Sequence, residues 1–395
     1  MWKQVSAGAA HCCSRLWQAG YEAYPVGGCV RDLLLGRVPG DWDVTTSAKP
    51  EDIIELFDHT AATGVKHGTV TVIQGDEHIE VTAFRTEAGY SDGRHPDHVR
   101  FEATLQEDLA RRDFTINAMA LDRDGNIVDP FGGRADLERR LIRCVGEARR
   151  RFAEDALRMF RAVRFAAQLG FELEDKTLQA IYECRCNVKL LAAERVRVEV
   201  EKTLCSPRPE RVKDFFDLDL LSPWTPERPG ELFGLNRVAP RPLARWAGLC
   251  ANLLRANDRA DTEVFLRALK MDGYMIRACA AGEKLWRSGT PGSDKEWRRA
   301  LAQYGEDGCR AGAVICEICG VPDAQAALRG VLAQKPCVSV GQLAVSGGQL
   351  AQLGLEGRRI GQMQRMLLEH VLDRPEDNRA EFLLDKAARD MHNGF

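Results

Sequence analysis

The chain has 395 residues, 45% of them hydrophobic and 29% charged, with a formal net charge of −3. That length predicts about two to four subdomains. The composition is that of a globular protein, and no apolar run is long enough to span a bilayer, so a membrane role is excluded at this level.

Taken in chain order, residues 1–20 carry Lys3, His11 and Arg15 without a continuous apolar stretch or a small-residue cleavage pattern, and read as no signal peptide. Residues 40–46 (GDWDVTT) predict a short strand, with Val44, Thr45 and Thr46 β-branched. Residues 50–57 predict a short helix opened by Pro50 and acids in its first turn. The β-rich runs 69–73 and 78–84, joined by Gln74-Gly75-Asp76-Glu77, predict a hairpin, and 126–129 a further short strand. From about Gly146 the periodicity becomes helical, over 152–169, 176–186 and 192–204. Prolines 223, 226, 229, 240 and 242 mark an irregular connection, after which helical patterns resume and end in an amphipathic pair at 360–371 and 379–391. The expected fold is a small α/β head, 1–145, followed by helical segments at 146–206, 207–335 and 336–395. The thirteen cysteines form no framework and point to the cytoplasm, with thiols kept reduced.

The chemistry concentrates in the head. Gly27-Gly28 lets the backbone approach a ligand closely with its amides turned toward it, and a helix beginning there favours phosphate. Arg31 adds a bidentate phosphate donor. Asp41 and Asp43 stand two apart on the predicted strand, so both carboxylates share one face, an oxygen-rich pair suited to Mg²⁺ when phosphates complete the shell. Glu80, on the second hairpin strand, is a candidate third carboxylate.

The segment GGCVRDLLLGRVPGDWDV (27–44) resembles the nucleotidyltransferase superfamily shared by CCA-adding enzymes and bacterial poly(A) polymerases, its class II group. The resemblance implies that Asp41 and Asp43 are catalytic and bind the metals, and that Gly28 and Arg31 contact an incoming triphosphate. RRDFTINAM (111–119) is similar to the family's second motif, which assigns Arg112 to the triphosphate and Asn117 to the ribose. DPFGG (129–133) followed by Asp136-Leu137 is similar to its third, a structural turn between head and neck.

Residues 154–164 (EDALRMFRAVR) set Asp155 and Arg158 three apart on one predicted helix face. A carboxylate accepts from the exocyclic amine of cytosine or adenine, and a guanidinium donates to the neighbouring ring acceptors. Uracil and guanine reverse the pattern, and each unpaired buried group costs about 1–3 kcal/mol. The resemblance makes this segment the protein's base-reading motif, with Arg161 and Arg164 turned to phosphate, sugar or primer. Residues 194–199 (ERVRVE) are similar to the family's fifth motif and are expected to brace that helix through charge pairs.

The head is common to several activities. The run Gly64-Val65-Lys66-His67-Gly68-Thr69-Val70 and the absence of a long basic tail favour CCA addition over poly(A) synthesis, and the glycine-rich loop at 85–100 favours full CCA over CC-only addition. A non-catalytic RNA-binding module is the alternative from another class. The expected partners are tRNA, CTP and ATP, with a homodimer left open.

Overall fold

The computed structural model describes residues 1–64, 68–88, 98–101, 103–392 and 395. Most of the loop at 85–100, and residues 65–67 of the Gly64–Val70 run, lie outside the described residues. The chain divides into two compact units, Met1–Pro223 and Trp224–Phe395.

The first unit is built on a five-stranded sheet: β1 (Ala23–Pro25), β2 (Trp42–Thr46), β3 (Thr60–Gly64), β4 (Thr69–Gln74) and β5 (Glu77–Ala83), in the order β1-β2-β5-β4-β3. The hairpin expected at 69–84 is the β4–β5 pair, and β2 begins two residues later than expected. β2 and β5 run parallel, which sets Asp43 beside Glu80; the other pairs are antiparallel. Alternation decides what each face meets. Val44 is fully buried, while Asp43 and Thr45 share the opposite face.

Helix α1 (Ala7–Gln18) packs on β1, β2 and β5, burying Ala9, Cys12, Cys13 and Leu16, and its first turn is capped by Ser6, which accepts from the Ala9 amide at 3.2 Å. Helix α2 (Gly28–Leu34) follows β1 directly, and α3 (Pro50–Leu56) follows β2. In α3, Pro50 occupies the first turn and Asp52 accepts from the Lys49 amide. Helix α4 (Leu105–Ala110) opens with a Thr104/Glu107 capping box and presents Asp108 to Thr45 on the Asp43 side of the sheet, at 3.1 Å.

Helix α5 (Gly133–Arg139) closes the head. Asp129 accepts from the Gly133 and Arg134 amides at 2.7 and 2.9 Å, so the DPFGG turn is a helix cap. A methyl group on Gly133 would stand 2.3 Å from the Thr115 carbonyl oxygen, so only glycine fits. Then come α6 (Ala148–Glu154), α7 (Leu157–Leu169), α8 (Asp175–Cys184), α9 (Ala193–Leu204) and α10 (Val212–Asp217). The apolar face of α7 buries Met159, Phe160, Val163 and Ala166, and Phe160 meets Phe215 of α10 with ring centroids 5.1 Å apart.

The single helix expected at 152–169 is in fact two. Asp155 is extended (φ −146°, ψ 106°) and its carboxylate accepts from the Leu157 amide at 3.0 Å, competing with the helical backbone pattern.

The second unit holds α11 (Pro242–Ala256), α12 (Thr262–Ala268), α13 (Gly273–Ser288), α14 (Asp294–Ile318), α15 (Ala324–Ala333), α16 (Gly347–Gln352), α17 (Arg358–Asp373) and α18 (Ala380–His392). Helix α14 bends at Gly305. The predicted amphipathic pair is α17 and α18, which close over Leu343, Val345, Leu350, Met363, Leu367 and Leu383. Among the described residues no helix is long and apolar enough to cross a membrane. A mixed-sheet head followed by helical segments is the fold class the sequence predicted.

Candidate active site

The turn between β1 and α2 carries the site's first element. Gly27 has φ +82°, a left-handed region that strains any other residue, and a Cβ there would lie 2.8 Å from an Arg112 guanidinium nitrogen. The turn is tied on both sides: the Val26 amide donates to the Asp43 carbonyl at 2.9 Å and the Gly27 amide to the Met119 carbonyl at 3.1 Å. Beneath it, the Cys29 thiol donates to the Val26 carbonyl, and burial pushes that thiol up to about 11, so it is an inert packing group.

A cleft of about 490 Å³ opens above this turn. It is lined by Gly28, Arg31, Asp41, Asp43, Arg112, Asn117, Asp155, Arg158 and Arg161 of the sequence-predicted residues. Asp41 is exposed just before β2 and Asp43 half-buried within it. Burial first, and the neighbouring Glu80 and Asp41 carboxylates next, raise the Asp43 carboxyl to about 6 against the opposing pull of Arg112. Arg112 itself leans on the buried Asp108 at 3.5 Å, which Arg111 also holds at 2.7 Å. Burial works against the Asp108 carboxylate, yet these two guanidiniums keep it below the usual range.

The cleft's cations are fixed in a chain of bonds. Arg31 donates to Asp32 at 2.9 Å and to the Asn117 side-chain oxygen at 2.7 Å. The Asn117 amide nitrogen donates to Asp113 at 3.2 Å, and Asp113 accepts from Arg161 at 2.7 Å. Burial alone would raise the Asp113 carboxyl; Arg161 and Arg158 hold it down at about 2. At the α6–α7 junction Asp155 accepts from Arg195 of α9 at 2.8 Å, while Arg158 donates to Glu154 at 2.7 Å and to the Arg151 and Arg111 carbonyls.

Arg164 is the exception: it does not line the cleft. Each step of three along a helix turns the side chain back by about 60°, so Arg164 points about 120° away from Arg158. It is buried and donates to Glu199 of α9 at 2.5 Å and Gln168 at 2.7 Å. The charge pairs expected of the 194–199 segment are thus Arg195–Asp155 and Glu199–Arg164.

Residues 23–143 match the family model described as the poly A polymerase head domain, and 170–229 that described as a probable RNA and SrmB-binding site of polymerase A. The CCA-adding enzyme of Lactobacillus delbrueckii subsp. bulgaricus is 40% identical over 383 residues, covering 93% of this chain and 95% of that protein. The chain belongs to the CCA-adding enzyme family. The member from Geobacillus kaustophilus is 42% identical over 344 residues, covering 84% of each chain. The fold is similar to the crystal structure of the Bacillus stearothermophilus CCA-adding enzyme in complex with CTP, with a TM-score of 0.80, 34% identity and 98% of both chains covered.

Asp32, Arg111, Asp113, Phe165 and Arg195 also line the cleft but were not singled out as site residues from sequence. Arg111 and Asp113 stand within the RRDFTINAM run and Arg195 within the bracing segment; only the fold brings Asp113 to Arg161 of α7 and Arg195 to Asp155 at the α6–α7 junction. Nucleotidyltransferases of this family generally use a divalent metal, and the donor set fits one. Asp41 and Asp43 are hard oxygen donors opening on a cleft with room for phosphate, and a cation would offset the burial and, after it, the like-charge crowding that raise Asp43.

Proposed function

We propose that this chain adds CCA to tRNA 3′ ends from CTP and ATP, without a nucleic-acid template, in the cytoplasm. One observation carries the reading: a single cleft gathers an acidic pair, triphosphate-sized cations and a carboxylate–guanidinium pair. In this reading the Gly28 amide, Arg31 and Arg112 take the triphosphate, Asn117 meets the ribose, and Arg161 completes the cationic wall beside it. Arg164 is left out of the nucleotide set, since it is buried behind the cleft lining on Glu199. Asp155 accepts from the base's amine and Arg158 donates to its ring acceptors, the complement shared by cytosine and adenine. Asp41 and Asp43 would hold Mg²⁺, which when bound supplies Lewis-acid charge to the reacting phosphate. The tRNA 3′-hydroxyl displaces pyrophosphate from the α-phosphate, and the cleft's cations orient the leaving group. The four-segment division, with the last segment contacting tRNA, is part of the same proposal.

The poly A polymerase head match keeps a second reading in view, because that head is shared. Incubating the protein with Mg²⁺ and tRNA transcripts ending before CCA, after C or after CC, with CTP, ATP or both, separates them. Three added nucleotides with both substrates is the expected result. A stall after CC makes it a CC-adding enzyme, a long ladder with ATP alone makes it a poly(A) polymerase, and no extension leaves an RNA-binding module.

A further inference from the structure

Three guanidiniums converge on one ring in the cleft wall. The Phe165 ring centroid lies 5.3 Å from the guanidinium carbon of Arg31, 5.3 Å from that of Arg161 and 3.9 Å from that of Arg164. The ring is 5% exposed, and it meets Phe114 edge to face, with centroids 5.7 Å apart. Each arginine is already held at one end by its own polar partner: Arg31 by Asp32 and Asn117, Arg161 by Asp113, Arg164 by Glu199. Asn117 and Asp113 are bonded to each other at 3.2 Å and link Arg31 to Arg161 through one polar edge of each guanidinium; the ring is the second contact those two cations share. Like charges this close repel, and a leucine of similar size would fill the space without offsetting that repulsion. An aromatic quadrupole does offset it, more strongly when the pair is shielded from water.

We propose that Phe165 is a positioning residue whose π-system seats Arg31, on α2, and Arg161, on α7, at the separation a nucleoside triphosphate needs. The head's phosphate-binding helix and the base-reading helix are thereby registered through one side chain. The inference rests on the reading above that Arg31 binds triphosphate. It differs from a packing role in what it makes measurable: the electron density of the ring matters, and its volume does not.

The test replaces Phe165 in the full-length protein with ring-fluorinated phenylalanines of rising fluorine number, which keep shape while draining the quadrupole, alongside Phe165→Leu and Phe165→Tyr. Steady-state addition to a tRNA lacking CCA gives kcat and KM for CTP, and the CTP-to-UTP preference is read in parallel. The expected result is a stepwise rise in KM along the fluorine series, reaching about five- to thirtyfold, with kcat and base preference within about twofold and Phe165→Tyr close to the parent. A KM that does not change with fluorination overturns the proposal, as does a fall in kcat at constant KM. The fluorinated series decides the matter even where Phe165→Leu fails to fold. Arg31→Ala runs beside it: if Arg31→Ala leaves KM unchanged, the triphosphate assignment fails; if Arg31→Ala raises KM and fluorination does not, only the role of Phe165 fails.

Discussion

In the first unit buried carboxylates bond guanidiniums around or behind one cleft: Asp113 meets Arg161 and Glu199 meets Arg164 across distant segments, while Asp108 meets Arg111 and Arg112 within one turn of chain. In the second unit Arg298 donates to the Leu372 carbonyl at 2.7 Å, Arg245 to the Leu235 carbonyl, and Glu283 accepts from the Thr262 amide and hydroxyl. There the two buried arginines are spent on backbone carbonyls, and Glu283, which also takes Arg287 one turn on, is spent on the start of a neighbouring helix, so charge ties elements to neighbours. The first arrangement holds side chains ready for a ligand; the second holds elements together. A buried pair is poor evidence of stability, because desolvation offsets much of its attraction, whereas a charge bonded to a carbonyl that would otherwise be orphaned removes a penalty outright.

Substitutions can break that contrast, and the largest effect belongs to Asp43. Asp43→Ala is expected to lower nucleotide addition by about a thousandfold or more, while the urea unfolding midpoint stays at the parent value; appreciable residual activity would remove Asp43 from the chemistry.

Next comes Asp113→Asn, which strips the counter-charge from Arg161, whose side chain is 35% exposed in the cleft, at a cost that solvent screening limits to about 2 kcal/mol, read by urea unfolding near neutral pH. The pH dependence sharpens it. The folded carboxyl titrates at about 2, below its unfolded value, so its contribution of about 2 kcal/mol is fully present above pH 4 and is lost as pH falls toward 2. The stability gap between parent and variant should therefore narrow on acidification, and a gap independent of pH would mean the cost is one of packing.

Smaller still, Arg158→Ala is expected to relax the preference for CTP over UTP by about ten- to a hundredfold, with KM for CTP rising less; retained selectivity with weaker binding would refute base reading by this side chain. In the second unit, Arg298→Met should lower stability by about 1–2 kcal/mol without moving KM for CTP. At the bottom of the scale, Arg267→Ala removes an exposed one-turn pair with Glu263 and should change the unfolding free energy by less than about 0.5 kcal/mol.

Local signals carried much of the head into view. The β-branched run after Asp43, Pro50 at a helix start, and the turn at Gly75 each act within a few residues, so β2, α3 and the β4–β5 hairpin were legible. The break at Asp155 was not, because the apolar spacing of Phe152, Phe160 and Val163 continues through it. What breaks the helix is one carboxylate shared between the Leu157 amide and Arg195, forty positions away. Distance hid part of the cleft's wall as well: the alternation of β2 announced Asp43 and the resemblance of 194–199 announced a brace there, but nothing near Asp113 or Phe165 told of their place in the wall. Arg164 shows the converse, a residue that the resemblance turned toward phosphate, sugar or primer and whose rotation on α7 takes it out of the cleft lining.

The glycine at 133 has a consequence for recombination. Its missing methyl sets the contact between the 129–143 turn and the 115–119 segment, and Thr115 donates its hydroxyl to Asp136 and its amide to the Arg143 carbonyl across the same junction. A crossover placed between those two stretches would separate surfaces fitted to within one carbon atom. Chimaeras with relatives are therefore expected to fold only when 115–143 comes from one parent, which a urea unfolding comparison of crossovers inside and outside that block checks.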